Sequence, residues 1–212
     1  MKQRFIALFS GFPEHHFTKE IAERLQKELT DRKRIAFISA WPSDYRRNDE
    51  DSYGMHRMLA DIGLRFDNIT LVDYRTEPNK AKEIMNQATC IWLMGGNATM
   101  QMKLIKDLQL RDSICNFDGP ILGVSAGSMN LAKTVVDVWE SLVPYEGLGL
   151  TDITLKSHFT CEELEMKEKL IGISMDLPIN VLEDLSAIFI TDDKIEHCGK
   201  IYRVEKGNIT PW

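Results

Sequence analysis

The residues best suited to chemistry are Gly123-Val124-Ser125-Ala126-Gly127, a G-x-S-x-G pattern between an apolar run at 120–124 that reads as a strand and an apolar helix start at 129–132. Strand, serine and helix in that order predict a nucleophile elbow. There the chain turns so sharply that the serine is strained and the residues two positions away must be small. Gly123 and Gly127 meet that demand. The helix that follows aims its first N–H groups at the serine, so the Ala126 amide is a candidate oxyanion donor. Gly95-Gly96-Asn97 closes the preceding apolar run at 90–94, and a backbone without side chains can approach a ligand closely. On neighbouring parallel strands both segments reach one rim, which makes Gly96 a second oxyanion donor facing Ala126.

A nucleophilic serine needs a base, and the base needs a carboxylate to hold its tautomer. The chain offers His15, His16, His56, His158 and His197. His158, in Ser157-His158-Phe159-Thr160 at the entrance to a predicted helix, takes a loop position on the same rim. His15 and His16 follow the first strand and border the same region. His56 falls within an amphipathic helix and reads as structural, while His197 in a charged hairpin would suit a hydrolase whose histidine comes last. For the carboxylate, Asp192 and Asp193 follow the apolar run 188–190, and Asp137 follows the elbow helix. Each is also an ordinary turn or surface acid, so sequence leaves the third position open. Arg46 and Arg47 are placed by location alone to meet a substrate carboxylate.

These residues need a scaffold, and short apolar runs alternating with amphipathic stretches supply one. Runs at 5–9, 35–38, 69–72, 90–94 and 120–124 read as parallel strands. Helices follow them, from Thr18 through Ile21, Leu25 and Leu29, then through Met55, Met58, Leu59 and Ile62, then at 81–87, and then through Met102, Ile105 and Leu108. A polar loop is predicted at 42–51. This pattern predicts an α/β fold with a doubly wound, mostly parallel sheet. After Thr134 the pattern becomes β-rich: short strands and turns, one helix at about 162–171, and apolar runs at 187–190 and 201–204 that suggest hairpins.

Length and composition bound the rest. A chain of 212 residues, 43% hydrophobic and 27% charged, can bury one full core and predicts a single domain over 1–212. A net charge of −6 argues against nucleic acid and anionic membrane as partners and favours a small molecule or a protein. Cys90, Cys115, Cys161 and Cys198 form no C-x-x-C pair, which fits a reduced protein. The run at 5–9 is too short for a signal segment, and no run approaches a membrane span, so a cytoplasmic location is expected.

Taken together, Gly95-Gly96-Asn97, Gly123-Val124-Ser125-Ala126-Gly127-Ser128 and Ser157-His158-Phe159 resemble, in order and spacing, the peptidase E family of serine peptidases, which includes cyanophycinase. The resemblance runs from the first strand to the final hairpin. It implies a fold like class I glutamine amidotransferases, a flavodoxin-like three-layer sandwich, with serine where those enzymes carry cysteine. It also implies hydrolysis of short peptides, as peptidase E cleaves dipeptides with N-terminal aspartate, without metal or organic cofactor. Carried over by position, it makes Ser125 the nucleophile, His158 the base, Asp192 the acid, Gly96 and Ala126 the oxyanion donors and Asn97 a substrate-lining residue. Where family members read Gly-Gly-Asn-Thr, this chain continues Ala98-Thr99, and its acid segment reads Ile190-Thr191-Asp192-Asp193-Lys194 rather than Pro-Glu-Gly. The alternative is an amidotransferase-like module that binds a metabolite or a protein at the same rim without turnover. An esterase that uses His197 is a third reading.

Overall fold

The computed structural model describes residues 4–138, 141–160, 162–191 and 194–212. The first part alternates strand and helix: β1 (Ile6–Phe9), α1 (Lys19–Glu28), β2 (Arg34–Ala40), α2 (Tyr45–Asp61), β3 (Asn68–Val72), α3 (Pro78–Gln87), β4 (Cys90–Gly96), α4 (Ala98–Asp107), α5 (Arg111–Cys115), β5 (Ile121–Val124) and α6 (Ala126–Leu131). The second part is β-rich: β6 (Thr134–Asp137), β7 (Ser141–Glu146), β8 (Leu155–Lys156), α7 (Leu164–Ile173), β9 (Ile179–Leu182), β10 (Ala187–Thr191), β11 (Lys194–Cys198), β12 (Ile201–Glu205) and β13 (Asn208–Pro211).

A 7-stranded sheet runs β11-β10-β1-β5-β4-β2-β3. Neighbours from β1 to β3 pair in parallel, whereas β10 and β11 are antiparallel. Side chains on successive strand residues point to opposite faces, and the core divides accordingly. Ile6, Leu8, Ile38, Ile91 and Leu93 enter one core beneath Met85 of α3 and Leu104 of α4. Phe5, Phe9, Phe37, Trp92 and Leu122 enter the other beneath Leu25 of α1 and Leu59 of α2. Both faces are therefore covered, which is why these strands read as continuous apolar runs rather than alternating ones. The result is the expected mixed α/β three-layer fold with a mostly parallel central sheet. A 4-stranded sheet, β13-β12-β9-β8, packs Val181 and Val204 against Met166 and Leu170 of α7 in a separate core.

One expectation changes. Most of the predicted polar loop at 42–51 is the start of α2, capped by Asp44, whose side chain accepts from Arg47 N–H. Apolar periodicity is absent there because the inward positions are Asn48 and Ser52, while Arg46–Glu50 and Arg47–Asp51 pair along the outside. Asn48 bonds the Ser39 hydroxyl, the Trp41 carbonyl and the buried Asp73 carboxylate. The runs at 187–190 and 201–204 do lie in hairpins, but in two different sheets. β10 enters beside Phe9, at the carboxyl end of β1, and leaves beside Ile6 at its amino end. No helix among the described residues is long and apolar enough to cross a membrane.

Candidate active site

Ser125 stands between β5 and α6 at φ 51 and ψ −114, a strained conformation that the surrounding packing must impose. Its N–H donates to the Phe9 carbonyl at 3.0 Å. A Cβ on Gly127 would lie 2.1 Å from the Leu93 carbonyl oxygen, and one on Gly123 would lie 2.7 Å from Ser128 N, so the elbow closes only with glycine at both positions. Ser128 Oγ lies 2.8 Å from the Phe9 carbonyl and 2.7 Å from that of Gly123, tying the elbow to β1. Ala126 opens α6, and the first N–H groups of a helix have no acceptor within it.

His158 Nε2 lies 2.8 Å from Ser125 Oγ, and its Nδ1 lies 2.7 Å from Asp184 Oδ1. An ionised carboxylate only accepts, so Nδ1 carries the proton and Nε2 presents its lone pair to the serine hydroxyl. The imidazole reaches this position because the chain turns at His158, with φ 57, just after β8. Asp184 lies in the turn between β9 and β10. Ser10, buried at the end of β1, joins the two: its Oγ accepts from His158 N–H at 2.8 Å and lies 3.2 Å from Asp184 Oδ1 and 3.1 Å from the Leu182 carbonyl. Next to it, a Cβ on Gly11 would meet Asp184 Oδ1 and His158 Cε1, each at 2.5 Å. β1 therefore braces both Ser125 and His158.

Gly96 adopts φ +139, and a Cβ there would lie 2.4 Å from Trp41 Nε1, so the indole packs directly on the Gly96 backbone. Asn97 lines the cleft, but its Oδ1 caps α4 by accepting from Met100 N–H at 2.8 Å and Thr99 Oγ1 at 2.9 Å. Ser125, His158, Gly96 and Ala126 open onto a cleft of about 780 Å³, bordered by Trp41, Arg47 and Arg57. Lys156 also lines it, with the residue only 5% exposed. Burial pulls the Lys156 ammonium's pKa down, opposed by the charges of Asp137, Glu163 and Asp184. Among the described residues, no group of His, Cys, Asp or Glu side chains is arranged to hold a metal ion.

The structure thus brings together Ser125, His158, Gly96, Ala126 and Asn97, and corrects the acid. Asp184 occupies His158 Nδ1 where Asp192 was expected. Asp192 and Asp193 lie outside the described residues, and the flanking Thr191 and Lys194 sit at the far end of β10, past Ile6 and away from the rim. Asp137 lines the cleft beside Lys156 rather than meeting His158. Of the other histidines, His15 borders the cleft and His16 lies exposed near Glu14. His56 is buried and accepts from Phe66 N–H, and the His197 ring lies tilted against that of Trp212. Arg47 borders the cleft and lies over the Trp41 ring, whereas Arg46 pairs with Glu50. Sequence reasoning missed Asp184, Ser10 and Lys156. The available signal for Asp184 was the apolar run Ile179-Asn180-Val181-Leu182, which delivers Glu183-Asp184 to the turn before β10.

A strained serine at a strand-to-helix elbow, hydrogen-bonded to a histidine that is in turn held by a carboxylate, is the arrangement of serine hydrolases. Residues 5–198 match the family model of peptidase family S51, and the chain belongs to that family, the peptidase E-like serine peptidases. The fold is shared with a peptidase from an acI-B1 actinobacterium, at a TM-score of 0.76 and 16% identity over 100% of this chain and 95% of that one. It is also shared with a candidate peptidase E protein from Listeria monocytogenes EGD-e, at 0.69 and 16% over 93% of this chain and 98% of the other. No curated protein matches the sequence.

Proposed function

We propose that this protein hydrolyses short peptides, dipeptides among them, through an acyl-enzyme on Ser125. The observation that carries this reading is the unbroken chain from Ser125 Oγ through the imidazole to Asp184, at 2.8 and 2.7 Å, open to a cleft of about 780 Å³. Ser125 Oγ bonds to the peptide carbonyl carbon as its proton passes to His158 Nε2, and Asp184 stabilises the imidazolium. The carbonyl oxygen becomes an oxyanion facing the Gly96 and Ala126 amides, and removing one such donor typically costs about 3 kcal/mol of transition-state stabilisation. The C–N bond then breaks as the imidazolium protonates the leaving amine. Water, deprotonated by the same imidazole, attacks the ester and frees Ser125. An N-terminal aspartate is the first substrate to try, on the family resemblance.

Fluorophosphonate labelling read by intact mass, followed by a dipeptide panel with Asp-X first, tests this. The expected result is one adduct on Ser125, absent in Ser125→Ala, with turnover in that variant reduced by about 10⁴-fold or more. Undiminished labelling of a folded Ser125→Ala would sink the assignment. A wild type that neither labels nor turns over any dipeptide would instead favour the binding module.

A further inference from the structure

Lys156 is the group in the cleft that the acyl-transfer scheme leaves unused. The residue is 5% exposed and borders the same cleft as Ser125 and His158. Among the described residues its ammonium makes no hydrogen bond or ion pair; the carboxylates of Asp137, Glu163 and Asp184 act on it only through their fields. Buried charges are normally paired, because an uncompensated one forfeits its hydration. A cation held this way at the wall of a binding cleft has a place for an anion that arrives with the substrate.

The fold says which anion. Lys156 ends β8 two residues before His158, and among the carboxylates acting on it is Asp184, which holds the far side of the imidazole. Lys156 therefore stands on the His158 side of the cleft. That is the side where the amine departs, since Nε2 must protonate it. Arg47 and Arg57, the other cations bordering the cleft, both belong to α2. In a dipeptide, the carbon next to the leaving nitrogen carries the free carboxylate. We infer that Lys156 binds the C-terminal carboxylate of the leaving residue. This rests on the acyl-enzyme reading and deepens it: the chain end is recognised by a charge-assisted hydrogen bond that an amidated or extended peptide cannot make.

The test compares Asp-Ala, Asp-alaninamide and Asn-Ala in wild type, Lys156→Met and Lys156→Arg, with fluorophosphonate labelling of Ser125 alongside. Met matches the stem and removes an unpaired buried charge, a change that cores tolerate. Wild type is expected to prefer Asp-Ala to Asp-alaninamide by about 10-fold or more in kcat/KM, the scale of a hydrogen bond to a charged group. Lys156→Met should bring that ratio close to one by raising KM for the acid, and Lys156→Arg should keep most of it. A fluorophosphonate carries no carboxylate for Lys156 to meet, so labelling of Ser125 in Lys156→Met reports whether the serine remains activated without the ammonium. An unchanged acid-to-amide ratio in Lys156→Met would overturn the inference. So would loss of labelling in that variant, or loss instead of a preference for Asp-Ala over Asn-Ala, which would assign the ammonium to the acyl-side residue. A wild type that labels yet cleaves none of the three overturns the inference alone; one that does not label overturns the acyl-enzyme reading beneath it.

Discussion

The two sides of the cleft are built differently. Ser125 belongs to the parallel sheet: β5, the elbow and α6 are consecutive in sequence, with Gly123 packed on the elbow's own Ser128 and Gly127 on Leu93 of the adjacent β4. His158 and Asp184 come from the ends of β8 and β9, neighbours in the second sheet, and their side chains remain 48% and 36% exposed. What holds them is Ser10 and Gly11, more than 140 residues earlier than His158, at the end of β1. The position of Ser125 can thus be specified by a five-residue motif, whereas those of His158 and Asp184 depend on contacts between distant parts of the chain. In the proposed reaction, solvent exposure on the His158 side leaves a route for the water that hydrolyses the acyl-enzyme.

The largest effect is expected where the second side is broken directly. Asp184→Asn should lower kcat by about 10³- to 10⁴-fold, through loss of the tautomer that presents Nε2 to Ser125. Asp192→Asn should change it by no more than about twofold, as for a substitution that touches no group of the site. Steady-state kinetics on the two variants decides between the acids, and the reverse result would restore Asp192. Next, Gly11→Ala forces a methyl into the space of Asp184 Oδ1 and His158 Cε1. Overpacking of this kind costs about 1–3 kcal/mol of stability, and displacement of the pair should cost on the order of 100-fold in kcat. Urea denaturation and rate measurements on one preparation separate the two losses; a fully active Gly11→Ala would show that β1 does not brace the base.

The smallest effect lies away from the cleft. Burial depresses the His56 pKa below 6.5, and its ring accepts from Phe66 N–H only while neutral. The unfolded chain therefore binds a proton more readily than the folded one. The stability this confers is complete above pH about 6.5 and declines as pH falls below that value toward the depressed folded pKa. Urea midpoints measured from pH 7.5 to 5 should fall less steeply in His56→Gln than in wild type. Equal slopes would remove His56 as a source of acid sensitivity.

Local chemistry was legible wherever it was contiguous. The strand, Ser125 and helix sequence and the Gly95-Gly96 pair could be read directly, because steric demands at a sharp turn act over a few residues. The start of α2 was not, since Asn48 and Ser52 face inward as hydrogen-bonding groups rather than as an apolar stripe. The acid was misplaced because a carboxylate was sought after the run at 188–190, at its outgoing end. In an antiparallel strand beside β1, it is the incoming end that reaches the rim.

By itself, then, the sequence determined the alternation of strand and helix, the coverage of both sheet faces and the elbow. All of these follow from periodicity or from backbone sterics within a few residues. The tertiary structure decided that Asp184 meets His158, that Ser10 and Gly11 brace them, and that Lys156 lies buried at the cleft. Those contacts depend on strand order and direction between segments far apart in the chain, and residue periodicity carries no information about which strand pairs with which.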